Sequence, residues 1–142
     1  MAVRWSPRLA VGVPEIDAQH RELFARVDAL LAAMSEGRGR QHLRETFAFL
    51  EDYFVEHFRD EVALMRATRY PLAEHHQGLH ERFQAELRTL AGEVTAEETP
   101  SPLTVVRTGS LCVEWLRNHI GTSDRDFGLY LASREGPASA AR

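Results

Sequence analysis

Lysine is absent from this chain of 142 residues; all 17 basic residues are arginine. They are outnumbered by 21 aspartates and glutamates, giving a formal net charge of −4. No Lys/Arg run occurs, so the electrostatic footprint of a nucleic-acid-binding protein is missing. Cys112 is the only cysteine, which excludes an internal disulfide and permits a reducing compartment. No apolar run approaches the roughly 20 residues needed to span a bilayer. The opening Met-Ala-Val-Arg-Trp-Ser-Pro has no apolar signal core. These absences lead to the expectation of a soluble, cytoplasmic protein without nucleic-acid or membrane partners. A hydrophobic fraction of 44% and a charged fraction of 27% are ordinary for such a globule, and the length suits one domain with a real core.

Strand signals are weak, and a 3.6-residue apolar period is strong. A first helix is predicted over about 16–35, with the stripe Ile16, His20, Leu23, Val27, Leu30 and Met34. Glu36-Gly37-Arg38-Gly39 breaks it. A second is predicted over about 41–66, with the stripe Leu43, Phe47, Leu50, Phe54, His57, Glu61 and Leu64, ending before Tyr70-Pro71. A third is predicted over about 72–94, with the stripe His76, His80, Phe83, Leu87, Leu90 and Val94. Thr99-Pro100-Ser101-Pro102 reads as a loop. A fourth is predicted over about 103–120, with Val105, Cys112, Leu116 and His119 on one face. A short turn or helix then carries Asp124, Phe127 and Leu131. The fold class expected is all-α: an up-down-up-down antiparallel four-helix bundle. It occupies residues 1–132, and 133–142 form a frayed tail of Gly, Pro, Ser and Ala.

Seven polar residues interrupt the apolar stripes: His20, His57, Glu61, His76, His80, His119 and Asp124. His57 and Glu61, and likewise His76 and His80, are four apart, so each pair shares a helix face. His119 and Asp124 are five apart, a spacing that fits a helix running into a turn. His20 lies near the start of the first helix, and His57 and Glu61 near the end of the second. His76 and His80 open the third helix, and His119 closes the fourth. In an up-down-up-down bundle all of these positions fall at one end, facing inward.

A single inward histidine is commonly a core residue with a hydrogen-bond partner. Glu61 changes that reading, because a buried, unpaired carboxylate costs several kcal/mol or stays protonated. A metal removes the conflict, since its charge offsets the carboxylates and its bonds use the imidazole nitrogens. Imidazoles with carboxylates suit iron, manganese or zinc, and seven groups are too many for one ion. The remaining histidines serve as controls. His42 starts the second helix, about 22 Å from His57 along it, and reads as surface. His75 is turned about 100° from His76 and reads as rim or surface. Cys112 lies too deep for a ligand or nucleophile and reads as a small apolar group.

The segments Ile16-Asp17-Ala18-Gln19-His20, His57-Phe58-Arg59-Asp60-Glu61, Tyr70-Pro71 before His76-x-x-x-His80, and Trp115-Leu116-Arg117-Asn118-His119-Ile120 leading to Asp124 resemble a bacterial single-domain hemerythrin. The resemblance runs from Trp5 to Leu131. It implies a non-haem, oxo- or hydroxo-bridged di-iron centre that binds O₂ reversibly. His76, His80 and His119 would hold one iron, His20 and His57 the other, and Glu61 and Asp124 would bridge both. Trp115, Leu116 and Ile120 would wall the O₂ pocket, although plain core packing accounts equally well for Trp115 and Leu116. The function expected is O₂ storage, transport or delivery to an oxygen-using enzyme, by a monomer that is not itself an enzyme. The alternatives are an O₂, NO or redox sensor module and a di-iron enzyme acting on peroxide or NO, with zinc hydrolysis a weaker option. Five neutral imidazoles with two anions leave such a centre poorer in electrons than one built mainly of carboxylates, which favours binding over oxidation chemistry.

Overall fold

The apolar stripes become antiparallel rods because each must bury its face against another. A computed structural model describes residues 4–38, 40–96 and 100–140, with side chains as far as 134. Gly39 and Thr99, expected in loops, and the last two residues of the expected tail lie outside the described residues. A 3₁₀ turn, Pro7–Leu9, leads into α1 (Pro14–Ser35), α2 (Arg40–Ala67) and α3 (Ala73–Ala96). The fourth rod is built from α4 (Pro102–Gly109), a π-helical turn (Ser110–Glu114), α5 (Trp115–His119), a second π turn (Ile120–Asp124) and α6 (Arg125–Ala140).

Local chemistry fixes the helix ends. Pro14 and Pro102 occupy first-turn positions, where a missing N–H costs nothing. The Ser101 hydroxyl accepts from the Thr104 N–H at 3.2 Å, capping α4. α1 stops at Gly37, whose φ of 70° is the left-handed conformation that glycine adopts freely. The Gly37 N–H then reaches the Met34 carbonyl and the Arg38 N–H reaches that of Ala33, closing the last turn. α2 ends the same way at Arg69, a non-glycine residue at φ 57°. Tyr130 of α6 supports this turn, its hydroxyl donating to the Thr68 carbonyl at 2.6 Å.

Side-chain bridges record the antiparallel order. Gln19 near the start of α1 meets Asp60 near the end of α2, and Arg26 reaches the Phe49 carbonyl. Arg66 meets Gln77 across the α2–α3 turn, and Arg40 at the other end meets the Ala96 carbonyl. Every inward position on the first three stripes is buried except Leu64, which is half-buried. Phe54, Phe83, Leu87 and Leu116 centre the main cluster, while Met65, Tyr70, Ala73 and Phe127 form a smaller one at the α2–α3 turn. Cys112 is fully buried, and burial pushes its thiol up to about 12, in keeping with an inert apolar role.

The fourth rod differs from expectation. Instead of a helix that ends near Ile120 and runs into a turn, the backbone stays helical through both π turns, with right-handed helical φ and ψ at Ser110, Trp115, Ile120 and Arg125. It continues to Ala140, past Ser133, where the composition suggested fraying. Extending a formed helix adds one hydrogen bond per residue fixed, so propagation is far easier than nucleation.

Gly128 of α6 lies against the segment before α1. A Cβ there would stand 2.1 Å from the Val11 carbonyl oxygen. Val11 is itself anchored, its N–H donating to Asp17 Oδ1 at 2.8 Å. Gly128→Ala should therefore force the two segments apart and cost about 1–3 kcal/mol, the usual range for overpacking. Urea unfolding followed by helical circular dichroism checks this; an unchanged midpoint would mean that the Val11 segment moves freely.

Candidate metal centre

The helix periods bring all seven residues to one layer. His20 comes from the first turns of α1, His57 and Glu61 from the last turns of α2, and His76 and His80 from the start of α3. His119 ends α5 and Asp124 ends the second π turn. The π turn explains the five-residue spacing. In an α-helix, residues five apart diverge by about 140°, whereas an i→i+5 turn stacks them. All seven residues are at most 6% exposed. By contrast, His42 and His75 are exposed, as their helix positions required.

The donor atoms fall into two overlapping groups. Glu61, His76, His80, His119 and Asp124 form one, and His20, His57, Glu61 and Asp124 form the other, with ligand atoms in each group within 4.8 Å of one another. Both carboxylates belong to both groups, and their oxygens divide between them. Glu61 Oε1 faces Nε2 of His76 and, at 3.5 Å, of His80, while Oε2 faces Nε2 of His57 at 3.4 Å and of His20 at 3.8 Å. Asp124 Oδ1 faces Nε2 of His76 at 2.9 Å and of His119 at 3.1 Å, while Oδ2 faces Nε2 of His20 at 3.0 Å.

These contacts fit cation ligation better than a hydrogen-bonded core. Both oxygens of Glu61, both of Asp124 and both ring nitrogens of His20 are buried without a directed hydrogen bond. Buried polar atoms are rarely left so. His119 Nε2 stands 2.9 Å from His80 Nε2 and 3.0 Å from His76 Nε2. Neighbouring octahedral ligands at about 2.1 Å from an ion are roughly 3.0 Å apart, so the spacing matches converging lone pairs.

Electrostatics of the protein alone point the same way. Burial opposes the charged form of His20, yet Asp124 and Glu61 beside it raise its pKa to about 9. His76 likewise rises to about 9, against its burial, through the same two carboxylates. His80 falls to about 4, chiefly through burial. Burial would raise both carboxyls, but the surrounding histidines hold Glu61 and Asp124 well below the usual range. The layer therefore demands positive charge, which protons or a cation can supply.

Several contributors carry no periodic signal. Gln19 accepts from His57 Nδ1 at 2.7 Å. Phe58 stacks on His80 with centroids 3.7 Å apart and planes at 6°. Trp115 stacks on His119 at 4.3 Å and, on Phe83, at 4.0 Å. Trp115 is half-buried, whereas Leu116 and Ile120 are each 1% exposed and belong to the main cluster.

The family model for the hemerythrin HHE cation-binding domain matches residues 11–129, a span that includes all seven donors. A hemerythrin alpha subunit of Lingula anatina is 32% identical over 120 residues, covering 84% of this chain and 87% of that protein. A bacteriohemerythrin of Stenotrophomonas maltophilia is 30% identical over 128 residues, covering 87% and 77%. A crystal structure of wild-type hemerythrin superposes with a TM-score of 0.77 at 25% identity, covering 91% of this chain and 97% of that one. These relatives are named as hemerythrins, not as enzymes. With a bundle of the same shape and a buried His/Glu/Asp cluster able to bind metal, the chain belongs to the hemerythrin family.

Proposed function

We propose that this protein binds O₂ reversibly at a non-haem di-iron centre. His76, His80 and His119 would hold one iron, His20 and His57 the other, and Glu61 and Asp124 would bridge them. The observation that carries this reading is the division of each carboxylate, one oxygen toward each histidine group. When bound, an iron pair supplies reversible two-electron chemistry toward O₂. The role we assign is that of a cytoplasmic carrier or store, supplying an oxygen-using enzyme.

The chain's own residues account for binding without further reaction. Five imidazoles and two carboxylates provide little negative charge to drive oxidation chemistry. Among the described residues the other buried ionisable groups are Asp17, occupied by the Val11 N–H, Cys112, and Tyr70, which packs against Phe127 and whose phenol burial pushes up. None of the three is one of the donors gathered in the layer. Leu116 and Ile120, beside His119, keep water from the layer. Trp115 and Phe58 fix the faces of His119 and His80.

The purified protein should hold two irons per chain, matching the two donor groups. Anaerobic-to-aerobic titration should give a reversible charge-transfer band, with metal analysis as the count. One ion per chain, or immediate conversion to ferric iron without an adduct, would count against the reading. Glu61→Ala should lose iron, whereas His42→Ala should not; equal loss in both would contradict the placement of the site.

Leu116→Ala should shorten the lifetime of the O₂ adduct while iron content stays near that of the parent. Stability should fall by roughly 2–5 kcal/mol for a fully buried leucine. Stopped-flow mixing followed by slow decay of the band tests this. An unchanged decay in an iron-loaded variant would reduce Leu116 to core packing.

Metal-free and loaded forms should respond to pH in opposite directions. The stabilisation from His20 and His76 is complete below their ordinary 6.5 and lost as pH rises through about 9. That of Glu61 and Asp124 is present above the usual carboxylate range and lost on acidification. The metal-free melting temperature should thus fall between about pH 6 and about pH 9, whereas iron binding, which displaces those protons, should tighten. Thermal unfolding of both forms across this range is the measurement, and a metal-free form equally stable at both ends would refute the assignment.

A further inference from the structure

The outer nitrogen of His57 is held by a relay that begins at the protein surface. Gln19 is half-buried on α1, facing α2. Its side-chain oxygen lies 2.7 Å from His57 Nδ1. Its side-chain nitrogen donates to Asp60 Oδ2 at 3.0 Å. Asp60 is exposed, immediately before Glu61 in α2.

An amide can be turned either way round, and its partners decide which. An ionised carboxylate only accepts, so Asp60 must bond the NH₂ end of Gln19. That leaves the Gln19 oxygen facing His57, and an oxygen there demands a proton on Nδ1. In a neutral imidazole the lone pair then lies on Nε2. Nε2 is the atom aimed at Glu61 Oε2, 3.4 Å away.

We infer that Gln19 and Asp60 are positioning residues that fix the His57 tautomer, and so the strength of the His20/His57 half of the centre. The inference rests on the di-iron reading for its effect on iron, but not for the tautomer itself. His57 is singled out because it belongs to the smaller donor group, with only His20 as a second imidazole. Nδ1 of His80, in the larger group, and Nδ1 of His20, in the smaller, are buried without a partner, so the held outer nitrogen sets His57 apart from both. Losing an outer partner of a ligating histidine typically weakens metal binding by about 10–100-fold.

The test uses Gln19→Leu, Gln19→Glu, Asp60→Leu and Asp60→Asn. Long-range ¹H–¹⁵N spectra of the zinc-loaded and metal-free proteins report the His57 tautomer, whichever metal is native. The parent should show the Nδ1–H form. Gln19→Leu should show a mixture in the metal-free protein, and Gln19→Glu should retain the parent form, because a carboxylate still accepts. Asp60→Asn should also retain it through its side-chain carbonyl, and Asp60→Leu should not. Chelator challenge of the iron-loaded proteins should release one iron of the two about 10–100-fold faster in Gln19→Leu, with rescue in Gln19→Glu. A parent in the Nε2–H form, or equal impairment in Gln19→Leu and Gln19→Glu, would overturn the relay. A parent that shows the expected tautomer but holds no iron would sink the di-iron reading and leave the relay standing.

Discussion

Two carboxylates are buried at the end of this bundle with no directed hydrogen bond to either, and that constraint organises the rest. Glu61 and Asp124 are at most 1% exposed and stand in the middle of five imidazoles. Burying one such charge without compensation costs several kcal/mol. The helices that carry the histidines must therefore converge on this layer, whatever the remainder of the core prefers. Protons on His20 and His76 offset the charge in the absence of metal, and a cation does so in its presence.

The apolar packing follows from that requirement. Phe58 and Trp115 press flat on the imidazoles of His80 and His119, and Trp115 in turn rests on Phe83. An imidazole held by stacking keeps its ring nitrogens aimed in fixed directions, so the aromatic cluster is part of the site as well as part of the core. Below it, among the described residues, the stripes of Leu, Phe and Val fill the bundle with threonines as the other buried polar residues. Two of these, Thr95 and Thr108, return their hydroxyls to helix carbonyls four residues earlier. Among the described residues the buried carboxylates and imidazoles thereby gather at one end, with the far end left mainly to hydrophobic burial.

The surface reaches the centre through specific links. Asp60 orients Gln19 and Gln19 meets His57, so an exposed residue bears on a buried ring. Tyr130 ties α6 to the turn after α2, joining the element that follows Asp124 to the one that carries Glu61. The two buried carboxylates thus share support that neither helix provides alone.

Much of this was legible in the sequence because helical periods are local. Four stripes, the Pro and Gly breaks between them, and seven polar residues on inward positions gave the bundle, its antiparallel order and the membership of the cluster. The i, i+4 pairs of His57 with Glu61 and His76 with His80 needed only the geometry of one helix. His42 and His75 could be set aside for the same reason. The five-residue step from His119 to Asp124 was not legible in that way. A π turn and a helix ending in a loop both satisfy it, and the structure has the continuous rod that runs on to Ala140. Nor could spacing reveal that Phe58 faces His80 or that Asp60 turns the amide of Gln19, since those contacts join residues on different helices. The sequence by itself determined which chemical groups point inward and at which end they meet. The tertiary structure decided how their atoms divide into two sets around shared carboxylates, because that depends on the distances between helices, which no single helix encodes.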